Sequence, residues 1–167
     1  MKEINYHELV LNPVEVFRDD WMLVSAGKAS KDYNTMTIGW GHLGCIWGMP
    51  TAIAYVRPER YTKKFMDKEE YFTLTWFGKK YRDELLYLGR KSGRDEDKVK
   101  KVGFTPTFDD STVWFKEAQL VIICRKLYAD EFHENCFVDH KVIETMYPDR
   151  RFHTAYYGEI VKILQQE

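Results

Sequence analysis

Ile38-Gly39-Trp40-Gly41-His42-Leu43-Gly44-Cys45-Ile46-Trp47-Gly48-Met49-Pro50 is the stretch on which the fold class turns. Gly39, Gly41 and Gly44 spell the G-x-G-x-x-G string of a dinucleotide-binding turn. That turn works only when a helix follows at once, because the helix N-terminus presents the N–H groups that face a pyrophosphate. Here Gly48 and Pro50 stand where the helix would run, and both residues break helices. A doubly wound parallel sheet is therefore not expected. The glycines and Pro50 read as a loop between two strands.

Working outward, strands dominate. Residues 21–26 form an apolar strand ending in the turn-rich stretch 27–34, and residues 35–38 and 51–56 follow strand patterning, the latter stopped by Pro58. Residues 71–77 are rich in β-branched and aromatic side chains. Residues 114–130 read as one long central strand, and 154–164 as a last strand. Helices are inserted between them. Asn12 caps a short opening helix with Pro13 in its first turn and Glu15 at its third position. Residues 59–68 carry Tyr61, Phe65 and Met66 at helical spacing, and 79–88 carry Tyr81, Leu85 and Leu88. Residues 89–93 break that second helix, a short one follows over 95–102, and 132–147 is mixed. With few βαβ units, the expected class is mainly β with inserted helices, an antiparallel barrel.

Composition sets outer bounds. The 167 residues fit one domain, spanning 1–167, with no Ser- or Pro-rich linker and no repeat. Lys and Arg number 25 against 26 Asp and Glu, so a net charge of −1 offers no general attraction to nucleic acid or an anionic membrane surface. The longest apolar run, 118–124, is far too short to span a membrane and contains Gln119. MKEINYHELV has no apolar h-region, and Cys45, Cys124 and Cys136 form no C-x-x-C pair. Reduced thiols and a cytoplasmic location are expected. The 11 Tyr, 10 Phe and 5 Trp make either a dense core or the walls of a site for a flat ligand.

Two clusters carry anion-binding chemistry. In Val56-Arg57-Pro58-Glu59-Arg60-Tyr61-Thr62 a strand enters a helix, so Arg60 and Thr62 lie near a positive helix end. Ser92-Gly93-Arg94 with Lys98 offers a hydroxyl and two cations on a turn. Ordinary capping and solvated surface charge are the alternative for each. His133, Cys136, Asp139 and His140 are metal-ligand types, and a helix would put His133, Cys136 and His140 on one face. With no second cluster to complete a site, packing by Phe132, Phe137 and Val138 is preferred and no metal is expected. His7, His42 and His153 stand alone, Cys124 reads as core, and nothing marks a Ser or Cys nucleophile with its base.

Four stretches, in this order, carry a resemblance to the flavin reductase-like family, whose FMN-binding split barrel includes flavoredoxins and NAD(P)H:flavin oxidoreductases. They are Asn34-Thr35-Met36-Thr37-Ile38-Gly39-Trp40, Tyr55-Val56-Arg57-Pro58-Glu59-Arg60-Tyr61-Thr62, Ser92-Gly93-Arg94-Asp95-Glu96-Asp97-Lys98, and His153-Thr154-Ala155-Tyr156-Tyr157-Gly158-Glu159-Ile160. The resemblance implies an FMN-binding split β-barrel. Asn34, Thr35, Met36, Thr37, Ile38 and Gly39 would lie along the isoalloxazine and ribityl chain, with Trp40 near the rings. Val56, Arg57, Arg60, Tyr61 and Thr62 would approach the phosphate, joined by Ser92, Arg94 and Lys98. The last strand would help to build a homodimer. The implied activity passes electrons from NAD(P)H through FMN to a flavin, a metal complex or a redox protein, and hydride transfer of this kind needs no acid–base residue. The alternative is an FMN-binding or electron-carrier module without NAD(P)H turnover. Two features depart from the family. No NAD(P)H motif is found, and residues 41–49, with Trp47, are placed to cover a flavin face.

Overall fold

A computed structural model describes residues 1–109 and 111–167. Among the described residues there are ten strands: β1 Lys2–Ile4, β2 Met22–Ala29, β3 Asp32–Ile38, β4 Gly41–Ile46, β5 Met49–Val56, β6 Tyr71–Trp76, β7 Pro106–Phe108, β8 Val113–Phe115, β9 Leu120–Glu131 and β10 Thr154–Gln165. Between them lie α1 Pro13–Glu15, α2 Tyr61–Lys68, α3 Arg82–Arg90, α4 Lys98–Lys101 and α5 His140–Met146. The main sheet runs β3-β2-β6-β9-β10-β5-β4, with β1 also on β10, and every pairing is antiparallel. β3 and β4 are consecutive in the chain yet sit at opposite ends of this order. The sheet therefore curls into a barrel that is split between them, and Gly39 and Trp40 cross the opening.

Burial explains the sequence pattern. One face of the sheet packs Met22, Val24, Leu74, Ile122 and Tyr156 around the barrel core, closed by Phe65 and Met66 of α2 and by Phe17. On the other face, Leu23, Val121 and Ile123 meet Leu85 and Leu88 of α3 and the stacked pair Phe77–Phe104, whose centroids lie 4.7 Å apart. β2, β6 and the first five residues of β9 are thus buried on both faces, which is why these stretches do not show the alternation of a half-exposed strand.

Several boundaries differ from the sequence expectation. Residues 39–50 are not a loop: Gly41–Ile46 and Met49–Val56 pair as a hairpin turned by Trp47 and Gly48, both at positive φ. Gly44 stands in the open, with nothing within 4 Å of a Cβ, whereas at Gly41 a Cβ would fall 2.2 Å from Phe17 Cε1. The α3 helix runs through Gly89 instead of ending at it, because a Cβ there would stand 3.1 Å from Cβ of Thr37; the missing side chain lets α3 lie on β3. Residues 114–130 divide into β8 and β9 at a turn where the Ala118 N–H bonds to Phe115 O, 3.1 Å. α2 starts at Tyr61, after Pro58, rather than at residue 59.

β9 and β10, each 12 residues long, are the spine of the sheet. Their register shifts at Tyr157/Gly158, and a Cβ on Gly158 would fall 2.7 Å from both Cys124 Cβ and Phe72 Cε1. Gly158→Ala should therefore overpack the core, at about 2 kcal/mol, and lower the melting temperature by roughly 4–8 °C. Gly44→Ala, on the edge strand with nothing within 4 Å of the new methyl, should leave it unchanged. Calorimetric melting of both variants checks the pair; equal effects would contradict the packing argument.

Candidate functional site

β3 is an edge strand with α2 on one face and α3 on the other, so it is the place where two helix ends meet. Asn34 is buried and donates from Nδ2 to Thr62 Oγ1, 2.9 Å away in the first turn of α2. That turn has no side-chain cap: Arg60, at the N-cap position, sends its guanidinium elsewhere. The free N–H groups and the helix dipole make this end attractive to an anion. The C-terminus of α3 arrives with the opposite polarity and is neutralised by cations. Arg60 Nη1 donates to Gly89 O at 3.1 Å, while Lys98 Nζ donates to Leu88 O at 2.7 Å and to Lys91 O at 3.0 Å.

Between these ends lies a cleft of about 150 Å³, with Asn34, Arg60, Thr62, Ser92, Arg94 and Lys98 among its walls. Gly93 is pressed against it so closely that a Cβ would stand 2.2 Å from Asn34 Oδ1. Only glycine permits the 92–94 backbone to form this wall. The Arg94 N–H bonds to Ser92 Oγ at 3.2 Å, and the Arg94 guanidinium lies 5.1 Å from the Tyr61 ring centroid. Lys98 is almost wholly buried, and its pKa is pushed down to about 8, first by burial and then by the neighbouring Arg60, against a raising effect of Glu96. Arg60, Arg90, Lys91, Arg94 and Lys98 stand against one carboxylate, Glu59, so this end of the site is strongly cationic.

Met36 and Arg60 are shared with a second cleft, of about 210 Å³, walled by Ile38, Trp40, Tyr55, Met146 and His153. Arg57 borders it but is already engaged: Nη2 donates to Met146 O at 2.6 Å, and Nη1 lies 3.4 Å from Asp149. His153 Nδ1 shares a hydrogen bond with the Tyr147 hydroxyl at 2.9 Å, and its ring lies 4.7 Å from that of Trp40. Burial, followed by the positive charge of Arg57, pushes its pKa down to about 4, so the imidazole is neutral at pH 7. Gly39, Trp40 and Tyr55 in turn border a third and mostly apolar cleft of about 450 Å³, with Phe17, Leu43 and Phe132 in its walls. Tyr55 Oη and His42 Nδ1 share a hydrogen bond there at 3.1 Å. The shared residues join the three clefts into one trough, cationic at one end and aromatic at the other.

Of the residues read from the sequence, Asn34, Met36, Thr37, Ile38, Gly39, Trp40, Arg57, Arg60, Tyr61, Thr62, Ser92, Arg94 and Lys98 border the first two clefts. Thr35 and Val56 do not. Thr35 is fully buried, accepting from Ser25 Oγ at 2.8 Å and donating to Val24 O at 3.2 Å, and Val56 sits in the barrel core. Thr35 is held by its bonds to β2, although Thr37 on the same face borders the second cleft, and the alternation of side chains along a strand points Val56 away from Tyr55 and Arg57. The same alternation would have exposed Tyr55, which sequence reasoning missed along with His153, Met146 and the α3 terminus at Gly89, Arg90 and Lys91. Met146 comes from a distant helix, and no local signal announces it.

Other features lie apart from the trough. The G-x-G-x-x-G string runs into an edge strand and not into a helix. Trp47 packs against Tyr128 and Tyr157, at centroid distances of 6.4 and 6.2 Å, on the outer face of the sheet and borders none of the three clefts. His133, Cys136 and His140 occupy a loop, a short 3-10 turn and the start of α5, not one helix face; among the described residues no group of three or more His, Cys, Asp or Glu is placed to hold a metal ion. Burial pushes the Cys124 thiol up, whereas Cys45 and Cys136 are exposed. No described helix is long and apolar enough to cross a membrane.

No protein-family model matches the sequence, and no curated protein does. Solved structures do match. A flavoredoxin of Desulfovibrio vulgaris (Miyazaki F) is 20% identical with a TM-score of 0.69, over 100% of this chain and 78% of that one. An FMN-binding protein from Thermus thermophilus, bound to 1-cyclohex-2-enone, is 16% identical with a TM-score of 0.67, over 94% and 78% of the two chains. A protein with a split barrel domain from Shewanella frigidimarina is 15% identical with a TM-score of 0.69, over 89% and 67%. The architecture implied by the four sequence stretches is the architecture found: this chain has the split-barrel fold of the flavin reductase-like proteins.

Proposed function

We propose that the trough binds FMN and that the chain is an oxidoreductase passing electrons from NAD(P)H to a flavin, a metal complex or a redox protein. The observation that carries this reading is the polarity of the site, where a cationic, N–H-rich cleft continues directly into aromatic and apolar walls. A phosphate ester on a flat, weakly polar ring system has the same gradient. The names of the similar structures, flavoredoxin and FMN-binding protein, point the same way.

The fit can be judged residue by residue. Arg60, Arg94, Lys98, the Ser92 hydroxyl and the first turn of α2 would hold the phosphate, since a dianion favours fixed N–H, hydroxyl and cationic donors. Met36, Ile38, Trp40 and Tyr55 would flank the ring system and keep water from it. Bound FMN supplies the hydride and electron chemistry. The chain's own part is to orient that group, and the neutral His153 adds a hydrogen-bonding but uncharged wall. Homodimerisation is part of the proposal, supported by the exposed aromatic rings of Trp47 and Tyr128 beside β10; light scattering should report twice the chain mass, and a monomer would remove it.

Titration calorimetry with FMN tests the assignment. Arg60→Ala and Arg94→Ala should each weaken FMN by about 10- to 100-fold, the worth of a charge-assisted hydrogen bond, while riboflavin, which lacks the phosphate, is unaffected. Equal losses for both ligands would refute the phosphate end. Oxidation of NADPH by the FMN-loaded chain tests the donor, and its absence favours the electron-carrier alternative.

The pH dependence follows from Lys98. Its charge attracts the phosphate below a pKa of about 8 and disappears as pH rises through that value. FMN affinity should hold near pH 7 and fall from pH 8 to 9.5, with riboflavin affinity flat over the same range. Parallel curves for the two ligands would assign the effect elsewhere.

A further inference from the structure

The segment that walls the apolar end of the trough has a second side. After α1 the chain continues through Val16–Asp20 as a turn of π-helix, and it leaves that turn at Trp21 with a φ of 69°. Both states are uncommon: π turns are rare, and a positive φ is strained for so large a side chain. Val14, Phe17 and Arg18 of this segment face the trough. Glu15, Val16 and Asp20 face a separate cleft of about 470 Å³, which shares no residue with the three clefts of the trough. That volume is within the usual range for a small-molecule site.

Asp20 is only 6% exposed, yet it has no ion pair among the described residues. Its Oδ2 accepts from Trp76 Nε1 at 3.1 Å, and its Oδ1 has no partner there. The cations of this region are committed elsewhere. Lys79 Nζ lies 3.5 Å from Glu15 Oε1, and Arg82 donates to Asp19 O with its guanidinium 3.1 Å from the Trp21 ring centroid. A carboxylate so stripped of water is normally paired, because losing its hydration is costly and one neutral N–H does not balance a full charge. An asparagine would serve the Trp76 N–H equally well. The charge of Asp20 is therefore the feature that calls for a partner.

We propose that this cleft binds a small primary amine, with its ammonium on Asp20 and its apolar body against Leu11, Val16 and Trp76. Only one carboxylate oxygen is free. That suits the point charge of an ammonium better than a guanidinium, whose fork takes both oxygens. An ammonium also carries three N–H donors and needs further acceptors. Gln119 supplies an amide in the same wall, pressed over Gly78 so that a Cβ there would stand 2.8 Å from its Oε1. Glu15 adds a second negative charge, which Lys79 shares at present. No part of this site belongs to the flavin trough, so it does not depend on the flavin reading.

Titration calorimetry at pH 7 with phenethylamine, and with 2-phenylethanol as its uncharged counterpart, tests the site. The wild-type chain should bind the amine at least about tenfold more tightly than the alcohol, the worth of a charge-assisted hydrogen bond. Asp20→Asn keeps an acceptor for Trp76 and removes the charge, so it should weaken the amine by about tenfold or more and leave the alcohol unchanged. No amine binding at millimolar concentration, equal affinity for amine and alcohol, or an unaltered amine affinity in Asp20→Asn would overturn the proposal. Lys79→Ala carries the test should Asp20→Asn not fold, because Lys79 is well exposed and is the one cation among the described residues of this wall. Losing that like charge should tighten the amine by about two- to fivefold. An unchanged or weaker amine in Lys79→Ala would count equally against the site.

Discussion

Burial of β2, β6 and the first half of β9 on both faces is the constraint from which the rest of the molecule follows. Each large apolar side chain taken out of water contributes about 1.5–3 kcal/mol, so a sheet sandwiched between a barrel core and a helical layer is worth far more than either layer alone. Satisfying both layers uses up the middle of the sheet. What remains for a ligand is the opening between the two end strands, β3 and β4, where the chain crosses through Gly39 and Trp40. The position of the trough is therefore a consequence of the packing. The two end strands of the sheet are the strands that frame it.

The chemistry at the cationic end follows from the same geometry. Packing α2 and α3 on opposite faces of β3 brings a helix N-terminus and a helix C-terminus to one place, with partial charges of opposite sign. Lys98 answers the negative end. Burying an ammonium is costly, and two carbonyl hydrogen bonds offset only part of that cost, which the depressed pKa of the group reflects. A buried cation that is incompletely satisfied within the chain is stabilised by any anion held beside it. The destabilising feature of the unliganded fold and the attractive feature of the site are thus one and the same side chain.

Much of this was legible in the sequence, and what was not has physical reasons. The failure of the glycine string to lead into a helix separated an antiparallel sheet from a doubly wound one, because Gly48 and Pro50 act locally. Arg60, Thr62, Ser92, Arg94 and Lys98 were legible because helix starts and glycine turns have local signatures. Thr35 and Val56 stand beside cleft residues in the sequence, but their side chains are buried within the sheet and the barrel core. Residues 39–50 read as a loop because an exposed edge hairpin buries little and so shows no apolar pattern. Gly89 read as a stop because the Thr37 side chain that requires it lies in another element. Met146 and His153 reach the trough only through the packing of α5 and the segment leading into β10. Local signals therefore marked where the chain bends and caps, and long-range packing decided which of those places face one another.

The make-up of the trough also bears on what kind of protein this is. An enzyme that attacks its substrate with its own side chains assembles a nucleophile, a base and an orienting group within hydrogen-bond reach. In the trough both histidines are paired to tyrosines, His153 to Tyr147 and His42 to Tyr55, while Arg60 and Lys98 donate to backbone carbonyls. Such a site is built to hold a ligand at both ends and fix its direction. The cationic end admits only the anionic part of a ligand, and the aromatic end admits only the flat part. A polarity gradient of this kind sets orientation without any single specific contact, which is the demand that a redox cofactor places on its protein.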